Sequence, residues 1–240
     1  MRFLPNCLPP LAAHVGALVF LALLLARSGH AAPTVTADPG FALDTLPRSV
    51  EPTGRVRCPK VDLVTYRGDL VRMHTPVRVN VDFRERLRRF EAVLRDVAIE
   101  VYGRAPARIH HLGALNCRRI RTWPAFLSEH GLGNAIDVAG FDFKSAPRRH
   151  ALPAGVPPAL RRGFRVRLAE HWGATDGSAA LHARFLHLLA ERLVPRHDIF
   201  RVMLGPAYPG HQDHFHFDCA PWRLVEIWSD ASADVPAAAP

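Results

Sequence analysis

Lysine is nearly missing from this chain of 240 residues: Lys60 and Lys144 are the only two. Of 31 basic residues, 31 − 2 = 29 are therefore arginine. Polybasic arms are usually lysine-rich runs, and none exists here. The charge is spread along the chain, which argues against a dedicated nucleic-acid arm. Cysteine is scarce as well, with four in all. No two of Cys58, Cys117 and Cys219 have zinc-finger spacing, which argues against a cysteine-based metal site. Long apolar runs are missing too. The uncharged run rich in Leu, Val, Ala and Phe, Leu11 to Ala26, has 16 residues, short of the roughly 20 that span a bilayer. No internal repeat is visible. Charged residues at 22% and hydrophobic ones at 48% exclude a disordered polyelectrolyte or a collagen-like chain.

What is present at the N-terminus reads as an export signal over residues 1–31. Arg2 and Arg27 flank the apolar run, no acid occurs, and Gly29 and Ala31 are small residues before a cleavage point. The alternative is an uncleaved membrane anchor. Cys7 precedes the apolar run, so it is not the lipid-modified cysteine of a lipoprotein signal. Either way the expected location is periplasmic or secreted. Cleavage removes two positive charges, so the net charge of +9 becomes 9 − 2 = +7. A basic surface favours an anionic partner such as a cell-wall polymer or lipid headgroups. An oxidising compartment allows one disulfide among Cys58, Cys117 and Cys219, and all three pairings stay open.

Residues 32–57, with scattered proline and no apolar period, are expected to be a linker. Residues 229–240 are expected to be a disordered tail. Between them, residues 58–228 are long enough for one core. Phe83, Leu87, Phe90, Leu94, Val97 and Val101 recur at helical spacing and predict a helix over 82–102, capped by Asp82 and stopped by Gly103. A second helix is expected over about 179–194, with Ser178 as its cap and Pro195 ending it. A short third one is expected from Pro221, carrying Trp222, Val225 and Trp228. Strands are expected over 61–66, 77–81, 108–112, 135–139, 164–168, 200–204 and 214–218. Helices and strands mix without regular alternation, so the fold class is α+β with a mainly antiparallel sheet packed by helices.

Histidine is abundant, at 14 residues, so an H-x-H alone carries little. Local stereochemistry raises its value. In HQDHFHFD, a strand would turn His214, His216 and Asp218 to one face and Phe215 and Phe217 to the other. In SEHGLGNAID, Ile136 and Val138 would face the core while Asp137 sits between small alanines. His130 precedes that strand, and Gly131 and Gly133 let a tight loop fold the imidazole back. Two imidazoles and one carboxylate suit Zn²⁺ with a fourth position open. Such an ion lowers the pKa of water to roughly 7. The same donors also accept Mn²⁺, Ni²⁺ or Co²⁺.

Ser128, His130, Gly133, Ala135 and Asp137, followed by His214 and His216, together resemble a known pattern. It is similar to the zinc peptidase group of D-alanyl-D-alanine carboxypeptidases, murein endopeptidases and the hedgehog signalling domain. The closer resemblance is to bacterial extensin-like C-terminal domain proteins. It rests on Cys58-Pro59, Cys117-Arg118, AIDV running into Phe141, and Leu204-Gly205-Pro206 before the second cluster, and covers about residues 58–222. The resemblance implies a hedgehog/DD-peptidase-like fold and one Zn²⁺ held by His130, Asp137 and His216. It implies a catalytic or transition-state-stabilising role for His214. Arg118 would grip a substrate carboxylate or stabilise an oxyanion, with Ser128 beside the substrate.

The general base is ambiguous. Carboxypeptidase relatives place a Glu where this chain has Asp213, and endopeptidase relatives place a His where it has His211. Strand alternation would turn both away from His216 unless a turn intervenes, as Pro209 and Gly210 allow. The expected function is an exported zinc-dependent peptidase or amidase acting on D-amino-acid bonds of peptidoglycan stem peptides. The alternative is a metal-containing cell-wall binding module without turnover. A third reading is a basic exported protein that binds anionic polymer and no metal. No nucleic-acid partner is expected, and the membrane enters only through the N-terminal segment. His110, His111, His171, His182 and His187 receive no role, and the tryptophans are read as core.

Overall fold

The structure is a computed structural model and describes residues 43–228. The expected export signal and C-terminal tail lie outside the described residues. Among the described residues, no helix is long and apolar enough to cross a membrane. The fold is mixed α+β. Its strands are β1 (Leu63–Tyr66), β2 (Arg72–Met73), β3 (Val77–Asn80), β4 (Arg108–Gly113), β5 (Ala135–Phe143), β6 (Phe164–Arg167), β7 (Val202–Leu204), β8 (Phe215–Asp218) and β9 (Leu224–Glu226). The helices are α1 (Val81–Tyr102), α2 (Leu168–His171) and α3 (Gly177–Leu193). Strands β1 and β3 form an antiparallel pair. The main sheet runs β2-β4-β5-β8-β7-β9, and β6 also pairs with β5. Antiparallel pairing joins its middle, whereas β2–β4 and β7–β9 are parallel.

The apolar stripe of α1 explains where the core sits. Phe83, Leu87, Phe90 and Leu94 are fully buried. Phe90 meets Phe200 and Phe217 at ring-centroid distances of 5.5 and 5.7 Å, and Phe200 stacks on Phe217 at 4.7 Å. Phe217 is thereby locked between helix and sheet, and truncating such a ring typically costs about 3–5 kcal/mol. The neighbouring residues of β8 are held to the opposite face. The helix starts one residue before the expected position. Its cap is Asn80 rather than Asp82: the Asn80 side chain accepts the Asp82 N–H at 2.9 Å. Gly103 ends it in the left-handed conformation, as expected. The second expected helix is α3, which begins at Gly177 with Asp176, not Ser178, in the cap position.

Two expectations are corrected. The third helix from Pro221 is instead strand β9, which lies parallel to β7 with Val225 beside Met203. Backbone pairing at the sheet edge outweighs the helical spacing of three apolar residues. The described part of the expected linker is part of the folded body. Leu43 is buried with Leu127 and Leu132. Backbone hydrogen bonds join Leu127 N–H to Arg48 and Val50 N–H to Ala125. Cys58 and Cys117 form the disulfide, and Cys219 is free and buried.

Candidate metal centre

Strands β5 and β8 bring the first two groups together. Asp137 stands directly opposite His216 in their register, and such cross-strand neighbours share a face. The flanking pairs Ile136–Phe217 and Val138–Phe215 point into the core. His130 comes from the 3₁₀ turn Glu129–Leu132 just before β5. Ser128 caps that turn by accepting the His130 N–H on Oγ at 3.4 Å. Gly133 ends it with φ of 61°. A Cβ at Gly133 would stand 2.7 Å from Leu63 Cδ2 and 2.9 Å from the Asn80 nitrogen. Glycine is therefore required where the chain turns back into β5.

Three donor atoms converge. His130 Nε2 lies 3.1 Å from Asp137 Oδ1 and 3.1 Å from His216 Nδ1, and His216 Nδ1 lies 2.9 Å from Asp137 Oδ1. Ligands bound at about 2.0–2.1 Å around a tetrahedral ion sit roughly 3.3 Å apart, so this triangle has nearly the right size. The outer nitrogens carry more information. His130 Nδ1 faces the Ala114 carbonyl oxygen at 3.0 Å, an acceptor only, so this nitrogen carries the proton and donates. His216 Nε2 donates to Asp218 Oδ2 at 2.8 Å. In the neutral tautomers both inner nitrogens then turn lone pairs toward the Asp137 carboxylate. Three electron-rich atoms about 3 Å apart repel unless positive charge enters between them. The residues present thus fit a cation: His130, Asp137 and His216 could hold a metal ion.

The protonation tendencies of the metal-free cluster carry the same message. Burial alone would lower the pKa of His216. Hydrogen bonds and charge from Asp137 and Asp218 more than reverse this and raise it to about 9. For Asp137, burial pushes upward, but His130 and His216 hold its carboxyl well below the usual range.

Around this floor, His214 approaches with Nε2 3.7 Å from Asp137 Oδ1. Its Nδ1 donates to Asp213 Oδ1 at 2.7 Å. Asp213 itself is mostly exposed, at 62% of its side chain, and is not among the cavity-lining residues. It reaches the centre through His214. His211 does line the cavity, with its ring 4.8 Å from that of His214 and 5.7 Å from that of His216. Strand β8 begins only at Phe215, and the turns before it bring His211 round to the cleft side. Burial, then the charges of His216 and His214, lowers the His211 pKa to about 4. Arg118 and Ser128 also line the cavity, which measures about 280 Å³.

Several contributors escaped the sequence. Arg48, in the expected linker, is buried and donates through Nε to Glu129 Oε1 at 2.8 Å, next to His130. Nothing in the local sequence marks a lone arginine in a proline-rich stretch. Strand alternation turns Asp218 to the right face, but its bond to His216 emerges only in the folded chain, although spacing of two on a strand is a usable signal. Trp123 and Trp222, expected in the core, line the cleft instead. Trp123 is 44% exposed.

Residues 37–227 match the family model described as Extensin-like protein C-terminus. That is well over half of the chain, so the chain belongs to the extensin-like C-terminus family. No curated protein and no solved structure matches it.

Proposed function

We propose that this chain is an exported, zinc-dependent peptidase or amidase, related in fold to the hedgehog and DD-peptidase group, that cuts D-amino-acid bonds in peptidoglycan stem peptides. The observation that carries it is the inward convergence of His130 Nε2, His216 Nδ1 and Asp137 Oδ1, each imidazole anchored from behind by an acceptor. A zinc ion held there would supply Lewis acidity toward a carbonyl group and toward water. The protein groups divide the remaining work. Asp213 fixes the proton of His214 on Nδ1, leaving Nε2 free to accept a proton or, once protonated, to donate to a developing oxyanion. His211 is the other imidazole facing the cleft, and its low proton affinity keeps it neutral and able to accept. Arg118 grips a substrate carboxylate.

Purification without chelator, metal analysis and chromatography of stem-peptide digests test this reading. About one zinc per chain is expected, with products released by the wild type and none by His130→Ala. A zinc-loaded protein that releases nothing from any stem peptide overturns turnover. The second reading, a metal-containing wall-binding module, is favoured by one observation. The only carboxylate at the relative's base position, Asp213, is engaged with His214 and stands back from the cavity.

A further inference from the structure

The acids lining the cavity are Glu129, Asp137 and Asp218. Each is already engaged. Glu129 binds Arg48, Asp137 binds His130 and His216, and Asp218 binds His216 and the Ala220 N–H. Two guanidinium groups line the same cavity, Arg118 and Arg121, and neither has a hydrogen bond or ion pair among the described residues. The walls of the cleft thus present two unneutralised cations and no free anion.

Arg121 is exposed at the mouth of the cavity. Its guanidinium packs against Gly210, where a Cβ would collide with its NH2 group. Gly210 has φ of 84° and lies in the turn that carries His211. Arg121 therefore reaches from the segment after the disulfide to the opposite wall. One residue on, the Thr122 hydroxyl lies 3.4 Å from the Tyr208 hydroxyl of that wall. The absence of a side chain at 210 makes room for the guanidinium beside the imidazoles.

We propose that Arg121, seated on Gly210, is a specificity residue that binds a second carboxylate of the substrate, distinct from the one gripped by Arg118. The inference rests on the peptidase reading and narrows its substrate class to peptides with a side-chain carboxylate as well as a free C-terminus. A planar guanidinium pairs bidentately with a carboxylate and has no equivalent pairing with the neutral amide.

Calorimetry in the cold on the zinc-loaded protein tests this independently of turnover. The probes are alanine tetrapeptides ending in two D-alanines, with Glu or its Gln twin placed in turn at the first and second positions. The Glu form of one pair is expected to bind about tenfold more tightly or better, as for hydrogen bonds to charged groups. Arg121→Gln is expected to remove that preference. Arg118→Gln is expected to weaken both twins and keep the preference. Equal binding of every pair by the wild type, absence of binding, or a preference surviving in Arg121→Gln overturns the proposal. Preference without cleavage would sustain it while removing the peptidase reading.

Discussion

Two groups of histidines lie on either side of β5 in one sheet and behave differently. His130 and His216 turn nitrogens inward onto Asp137, with Ala114 and Asp218 holding the outer ones. His74, His110 and His111 also crowd together, with the His74 ring 4.4 Å from His110 and 4.3 Å from His111. In that second group no carboxylate among the described residues is hydrogen-bonded to a ring. His111 donates from Nε2 to the Thr75 carbonyl at 3.0 Å, and its buried Nδ1 has no partner among the described residues. Burial lowers the pKa of His110 and His111, whereas His216 rises because carboxylates face it. Imidazole density alone does not make a metal site. A shared anion and fixed tautomers are what fit the first group, and not the second, to a cation.

The comparison breaks most sharply through the ligands themselves. His130→Ala is expected to weaken zinc binding by more than roughly 100-fold, exceeding the usual cost of losing an outer partner. His74→Ala should leave zinc content unchanged. Competition with a chromogenic chelator reads both, and equal loss in the two variants would erase the distinction. Asp218→Asn comes next. It leaves all three donor atoms in place but withdraws the carboxylate behind His216, and about 10–100-fold weaker zinc binding is expected in the same assay.

The smallest effect concerns pH. Because His111 is held below the ordinary histidine value of about 6.5, the folded state resists its protonation. Above that value both states are neutral there and stability is intact. As pH falls, the unfolded chain binds the proton first, and stability declines until the lowered folded value is passed. Urea unfolding of the metal-free protein at about pH 7.5 and about pH 5 should therefore show a smaller loss in His111→Gln than in the wild type. An identical loss would mean that His111 does not carry it.

Much of this centre was legible in the sequence because strand alternation is a local rule. Phe215 and Phe217 going inward force His216 and Asp218 outward, and the same parity places Asp137 between Ile136 and Val138. The α1 stripe was legible for the equivalent helical reason. The N-terminal segment was not. Leu43 and Arg48 find partners some 80 residues away, at Leu127 and Glu129, and no local period announces them. Strand β9 was misread because its few apolar residues suit either period until β7 supplies backbone partners. The cap at Asn80 was missed by two positions because the strand before the helix ends directly in it.

Residue spacing by itself determined the mixed α+β class, the long helix and the donor types offered for a cation, since these follow from which faces neighbouring side chains share. Tertiary packing alone decided that Cys58 joins Cys117, that Arg48 pairs with Glu129, which nitrogen of each imidazole points inward, and that Arg121 rests on Gly210. Those outcomes depend on partners far apart in the chain, brought together only when the apolar faces close on one another.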